Sequence, residues 1–417
     1  MRRRTATRGA RTRTVLLLVM ASLVGATGLA GAPSAAPAPA WSEVASGVTY
    51  RTMDIPSGRG TARAHLLSAD LADARVSVGL LYPGVVAARS ALSALADGAG
   101  ATGGINGDFF NLTEAQHPGV EATGAPVGPA VADGRPLKAA VPDGQRFGPA
   151  LPPGTNARQV LGVGDDGKAR VGELVLEGAV STPYGKFPLG GLNQYALPVG
   201  SVGVFTEDWG GASRVRATCG TDTQRSAPCS AETYEVTVRG GKVVAVAEAP
   251  GRGVIEPGTQ VVVGREAGAR ELRKLAVGDL VGVRYALVAA GAEPGVSYRF
   301  AVGGFPVLRG GEPLGGLDGV TAAVRTAAGV GADGKRLVLL ALDGGAEFRS
   351  GLTVAELAAV MRDLGASEAV NLDGGGSSTL VARVGEATKV SVLNHPSGGV
   401  QRAVPNGIGL FVRPDAA

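Results

Sequence analysis

The sequence predicts an α+β fold, a mixed sheet with a C-terminal βαβ unit and a β-rich middle subdomain, and three observations carry that expectation. Residues 337–342 form an apolar run that stops at Asp343, Gly344 and Gly345. Residues 369–372 form a second, which stops at Asp373, Gly374, Gly375 and Gly376. Such runs, short and bounded by turn residues, read as buried strands. Between them Thr353 and Glu356 make a capping box. Val354, Leu357, Ala358, Met361 and Leu364 then recur at helical spacing until Gly365 ends the pattern. From 160 to about 287 the chain instead alternates apolar and polar residues between turns, as strands do.

In chain order, residues 1–40 read as a secretory signal peptide and an Ala/Pro-rich linker. Arg2, Arg3, Arg4, Arg8, Arg11 and Arg13 precede an apolar core too short for a convincing membrane span, and small residues suited to cleavage follow. This segment holds six of the 40 basic residues and no acidic one. The remaining chain, 41–417, therefore carries 34 basic against 36 acidic residues. Its near balance gives no support to nucleic-acid binding, and the expected location is extracellular, without an integral membrane segment after cleavage. Roughly 375 residues suffice for one large domain or two modest ones. The 67 glycines and 4% aromatic content argue for many tight turns around an Ala/Val/Leu core.

Residues 62–67 and 76–81 read as strands, with His65 inside the first as a packed or surface residue. Residues 87–97 read as a short helix. A Gly-rich segment follows, in which Asn106 and Asp108 sit beside Phe109 and Phe110. It reads either as the polar wall of a pocket or as a strand ending in an Asn-Gly turn. Residues 119–154, rich in Pro, Gly and Ala, read as long surface loops, and for His117 at their start a place at a pocket rim is the less favoured reading. The stretch 160–290 reads as a β-rich insertion or subdomain, with a hairpin about Gly240 and Gly241. Its Cys219 and Cys229 are the only cysteines of the chain, and in an exported protein they are expected to pair as a local disulfide.

The C-terminal unit carries the chemistry. A right-handed crossover would make the two apolar strands parallel, so that both Asp-Gly turns leave the same sheet edge, where open α/β sheets bind ligands. As neighbours, Asp343 and Asp373 would start from backbones about 5 Å apart. The glycines after Asp373 allow close backbone approach, and Ser377, Ser378 and Thr379 add hydroxyls, a turn suited to an anionic or polyhydroxylated ligand. Arg325 and Arg402 have the planar donor geometry that holds phosphate.

The segments GGINGDFF, GGFPVLRGG, RTAAGV, LDGG, SGLTVAELA, LGASEAVNLDGGGSSTLV and RAVPNGIGLFV, in this order, resemble the phosphodiester glycosidase family over roughly residues 44–414, most strongly over 299–412. The family's pattern often has Gly where this chain has Asp108. The resemblance implies a hydrolase that cleaves the glycosidic bond of a sugar-1-phosphodiester, and for an exported protein it points to a cell-wall or other extracellular glycopolymer. Phosphate is a good leaving group, so binding it and stabilising an oxocarbenium-like centre become the main tasks. On this reading Asp373 and Asp343 are the catalytic carboxylates, with Asp373 beside the anomeric carbon. Arg325, Arg402, Gly374, Gly375, Gly376, Ser377 and Ser378 hold phosphate. Asn106 and Asn406 position the sugar, and Asp108, Thr326 and Asn371 complete the substrate-binding set. No cofactor is expected. Two alternatives stay open: a glycopolymer-binding protein without catalysis, and a phosphodiesterase cleaving P–O with a divalent cation such as Ca²⁺ on Asp343, Asp373 and Asn371. Three histidines make a His-built zinc centre a poor expectation.

Overall fold

The computed structural model describes residues 40–413, except 292–294 and 349. Strands dominate and are arranged in three sheets. The first has eight strands, in the order Ser42–Ala45, Val48–Ser57, Gly60–Asp70, Arg336–Leu342, Thr326–Val330, Glu368–Leu372, Phe305–Arg309 and Glu312–Pro313. Every adjacent pair in it is antiparallel.

The expected pair of neighbouring parallel strands is therefore corrected. Thr326–Val330 lies between Arg336–Leu342 and Glu368–Leu372 and is antiparallel to both. The two outer strands still run the same way, so Asp343 and Asp373 leave the same edge, but two strand spacings, roughly 10 Å, separate their backbones. The cause is local: only residues 331–335 connect Thr326–Val330 to Arg336–Leu342, and so short a link makes them hairpin partners. The longer return through the helix then adds its strand on the far side.

The helix is Val354–Asp363, as the spacing predicts. Glu356 N donates to Thr353 Oγ1 (3.1 Å) while Thr353 N donates to Glu356 Oε2 (2.8 Å), completing the capping box. Val354, Leu357, Ala358 and Met361 pack on Ala327, Leu340, Leu342 and Ala369 of the sheet. Small residues under the helix let it approach closely. At Gly329 a Cβ would stand 2.8 Å from Ala366 Cβ and 2.6 Å from Met361 Cε, so the chain would have to shift to admit it.

The opposite face of this sheet packs on a second one, five antiparallel strands in the order Val390–Val392, Leu380–Arg383, Gly103–Asn106, Gly407–Val412 and Val76–Leu81. Ile105, Leu380, Ile408 and Leu410 from one side meet Leu67, Leu339, Val370 and Leu372 from the other. The short helix between Val76–Leu81 and Gly103–Asn106 is Leu92–Ala99, later than the 87–97 expected from composition.

The third sheet has eleven strands and contains nearly all of the β-rich middle. The hairpin about Gly240 and Gly241 forms, with φ of 56° and 74° at the two glycines, as a two-residue turn demands. Cys219 and Cys229 are bonded as a disulfide. The 119–154 stretch departs from its reading as surface loops. It supplies the strands Ala130–Ala132 and Arg135–Lys138, and residues 123–132 and 137–139 are buried, because the third sheet uses them as an edge hairpin. Strands of three and four residues are too short to leave a periodic signal.

Candidate active site

Four chain segments end at one place: Asn106 closes its strand, Thr326 opens one, Leu372 closes one, and Asn406 precedes the strand Gly407–Val412. The Asp373 turn is built on this junction. Asn106, fully buried, donates from Nδ2 to the Asp373 carbonyl (2.7 Å), and its Oδ1 accepts from Thr379 N (3.0 Å) and Thr326 Oγ1 (3.3 Å). Thr326 Oγ1 also bonds Ser378 Oγ (2.8 Å). Asp373 N donates to the Gly107 carbonyl (2.9 Å). The amide of Asn106 is thus spent inside the protein, on fixing the turn.

Asn406 does the same from the other side. Its Oδ1 accepts from Asp108 N (2.9 Å) and its carbonyl accepts from Gly107 N (3.0 Å). Gly107 must be glycine, since a Cβ there would lie 2.5 Å from Asn406 Oδ1. Asn406 Nδ2 and Asn371 Oδ1 are buried with no hydrogen-bond partner among the described residues.

The turn itself is a short 3₁₀ segment, Gly375–Ser377, with Gly375 at φ 59°. Gly374 passes so close to the Val324 carbonyl that a Cβ would be 2.5 Å away. Arg402 lies across the turn. Its Nη1 donates to Ser377 Oγ (3.3 Å), and Gly376 leaves the space its guanidinium fills. Burial pushes the Asp373 carboxyl up to about 6, against the lowering effects of its bond with Ser377, the charge of Arg402 and the Gly374 amide. A half-buried carboxyl beside an arginine and a glycine turn can accept a proton near neutrality and can face an anionic ligand.

Asp343 is held separately. Its Oδ2 accepts from His65 Nε2 (3.1 Å) and its Oδ1 from Gly345 N (2.7 Å), and Tyr50 Oη donates to His65 Nδ1 (2.8 Å). His65 is therefore not a bystander but the group that orients Asp343. Burial lowers its pKa, opposed by the Asp343 carboxylate. A single histidine in a strand gave no signal of this, because its partner lies 278 residues away. The 394–397 loop ties the two turns together. Asn394 Nδ2 donates to the Leu342 and Ser378 carbonyls (3.2 and 2.9 Å), Gly344 N to the His395 carbonyl (2.6 Å) and Ser397 Oγ to the Gly375 carbonyl (3.2 Å).

Arg325 is placed differently from Arg402. Its Nε donates to the Leu352 carbonyl (2.9 Å) and its Nη2 to the Thr321 carbonyl (2.6 Å), bracing the loop before the helix. His117 is buried between Glu114 Oε2 (2.6 Å) and the Ala227 carbonyl (2.8 Å), in a network that Arg216 completes through Glu114. It fastens the disulfide loop and does not stand at a rim. Asp108, also buried, has Lys138 behind it, a residue the sequence reading did not single out. Among the described residues no three His, Cys, Asp or Glu side chains converge as a ligand set. A cleft of about 980 Å³ lies elsewhere, along the Val76–Leu81 edge strand near Asp133, Arg299 and Phe411, and none of the Asp373 turn lines it.

Residues 232–411 match the phosphodiester glycosidase family. Among solved structures, a hypothetical protein from Synechocystis is similar at 20% identity and a TM-score of 0.67, over 90% of this chain and 64% of that one. The chain thus spans less than two thirds of that relative. A Burkholderia pseudomallei protein named for its inferred export is similar at 25% identity and a TM-score of 0.64, over 84% and 74% of the two chains. The catalytic domain of zebrafish N-acetylglucosamine-1-phosphodiester alpha-N-acetylglucosaminidase, auto-inhibited by its pro-peptide, aligns at 15% identity over 91% and 86%, with a TM-score of 0.43. No curated protein matches the chain.

Proposed function

We propose that the protein is an exported phosphodiester glycosidase, hydrolysing the bond between the anomeric carbon of a sugar and a phosphodiester oxygen in an extracellular glycopolymer. The observation that carries this reading is the Asp373 carboxyl, raised to about 6 at the head of a glycine turn and faced by Arg402. The match of residues 232–411 to the phosphodiester glycosidase family supports the reaction class. The disulfide, and the lack among the described residues of a helix long and apolar enough to cross a membrane, are compatible with export.

In this reading Arg402, Ser377 and the glycine turn bind the phosphate, and Asp373 stands beside the anomeric carbon. The C–O bond breaks with its electron pair going to the phosphate oxygen, which leaves as a phosphate monoester and needs little protonation. Asp373, as its carboxylate, either attacks the anomeric carbon or takes the proton of the water that does; water supplies the new anomeric hydroxyl in both cases. Asp343, oriented by His65, is the second carboxylate and stabilises positive charge developing on the ring. Asn106, Thr326 and Asn406 act by fixing the turn. Arg325 acts on the phosphate side by bracing the segment that leads into Thr326.

The test is hydrolysis of sugar-1-phosphodiesters in ¹⁸O-labelled water. Label on the anomeric oxygen supports glycosidic cleavage. Label on phosphate would mean P–O cleavage and overturn the reading. Absence of turnover together with tight, Arg402-dependent binding would make the protein a binder.

A further inference from the structure

Behind the Asp373 turn lies a buried acid and base for which the proposed reaction has no role. Asp108 and Lys138 are 1% and 0% exposed. Lys138 Nζ donates to the carbonyls of Val127 (3.2 Å), Gly128 (2.5 Å) and Ala139 (2.6 Å), which uses all three of its protons on backbone and none on a carboxylate. Asp108 Oδ2 accepts from Gly128 N (2.6 Å), whereas its Oδ1 has no partner among the described residues. One peptide group, between Val127 and Gly128, touches both: its carbonyl accepts from Lys138 and its N–H donates to Asp108. The space for the carboxyl is made by glycine: at Gly303 a Cβ would fall 2.3 Å from Asp108 Oδ2. One residue before Asp108, the Gly107 carbonyl accepts from Asp373 N (2.9 Å).

We propose that Asp108 and Lys138 form a buried proton-holding pair coupled to the Asp373 carboxyl from behind, as positioning residues that do not touch substrate. Two opposite charges buried without a direct bond are costly, and the cost falls when both are lost, Asp108 gaining a proton and Lys138 giving one up. Burial accordingly moves both toward neutrality, Asp108 up and Lys138 down, each to about 7. The charged and titrating groups that face the pair are Asp373, whose charge raises Asp108, and Tyr195, whose phenol donates to the Gln145 carbonyl (2.9 Å). Asp373 in turn faces Arg402 and Ser377. A protonated Asp108 lets Asp373 ionise first, and the Asp373 carboxylate then holds the proton on Asp108. The catalytic consequence rests on the glycosidase reading; the titration does not.

The test is ¹³C NMR of the protein labelled at the aspartate carboxyls, titrated as wild type, Asp108→Asn, Asp373→Asn and Lys138→Met. The Asp108 signal, identified by its loss in Asp108→Asn, should titrate near neutral pH. Its midpoint should fall in Asp373→Asn by about 0.5 in pH or more, whereas that of Asp373, which ionises while Asp108 still holds its proton, should stay in place in Asp108→Asn. Lys138→Met should raise the Asp108 midpoint; if that variant does not fold, the two aspartate variants decide. An Asp108 carboxyl fully ionised at pH 5, or one indifferent to Asp373→Asn, would overturn the proposal. A pair that titrates as described in a protein that hydrolyses no sugar-1-phosphodiester would leave it standing and sink the glycosidase reading alone.

Discussion

Asn106 and Asp373, 267 residues apart and at the ends of strands from different sheets, are joined by a 2.7 Å hydrogen bond from the Asn106 amide to the Asp373 carbonyl. The bond places the candidate carboxylate at the seam of two sheets. The turn's geometry therefore depends on their packing as much as on its own glycines.

Asn106→Ala would remove this bond and leave the Thr379 amide without its acceptor in a buried site. Such a loss costs about 1–3 kcal/mol. Urea denaturation should show that destabilisation. Turnover of a sugar-1-phosphodiester should fall more than 10-fold even where the variant is fully folded, since about 1.4 kcal/mol of misplacement is tenfold in rate.

The pH dependence follows from Asp373. Its carboxyl is held up to about 6 in the folded protein. Activity that needs the carboxylate should rise as pH climbs through that value. Arg402→Gln, which removes a charge favouring ionisation, should move the rise to higher pH. The same shift has a sign for stability: with the folded pKa above the unfolded one, the contribution is full below about 4 and is lost as pH rises through about 6. Asp373→Asn should therefore be more stable than wild type at pH 7, by about 1–2 kcal/mol after allowance for partial exposure. Thermal melts at pH 4 and pH 7 check it, and a variant advantage that is equal at both would refute the linkage.

Arg402→Gln should raise KM for a sugar-1-phosphodiester by about 10-fold or more, the worth of a charge-assisted hydrogen bond to phosphate. Because its one side-chain hydrogen bond among the described residues, to Ser377, is long, stability should change little. The matching change at Arg325 should do the reverse. Its bonds to Leu352 and Thr321 brace a loop, so Arg325→Gln should cost stability before it costs affinity.

His65→Leu would leave Asp343 Oδ2 and the Tyr50 hydroxyl without their common partner. We expect a loss of about 2–3 kcal/mol and a lower kcat, with His65→Gln restoring part of both. Burial lowers the His65 pKa, so its stability contribution is present above the usual histidine value and lost as pH falls through the folded one. In His65→Gln the acid limb of a stability-versus-pH curve should accordingly flatten.

Thr353→Ala tests the helix that backs the sheet. Losing the hydroxyl of a complete capping box should cost about 1 kcal/mol in stability and leave the pH profile of activity unmoved.

Features governed by neighbouring residues were legible in the sequence. The helix Val354–Asp363 with its cap, the Gly240 and Gly241 hairpin, and the stops at Asp343 and Asp373 each depend on residues a few positions apart. Glycine and capping chemistry leave their mark in the order of the letters. The chain also placed Asn106, Asp373, Arg402 and Asn406 in one set through a family resemblance, though with Asn106 and Asn406 assigned to the sugar.

Tertiary structure alone decided which strand lies between the two aspartates. Thr326–Val330 is a run of Ala, Gly and Val with no strand-like alternation, and it is a strand because a five-residue link folds it onto Arg336–Leu342. That insertion doubled the expected spacing of Asp343 and Asp373 and opened the gap that the 394–397 loop now spans. Tertiary structure likewise turned His65 into the partner of Asp343 and set Lys138 behind Asp108. A histidine or lysine at one position carries no trace of a partner more than 25 residues away. Its burial and charge state are set by what the rest of the chain packs around it.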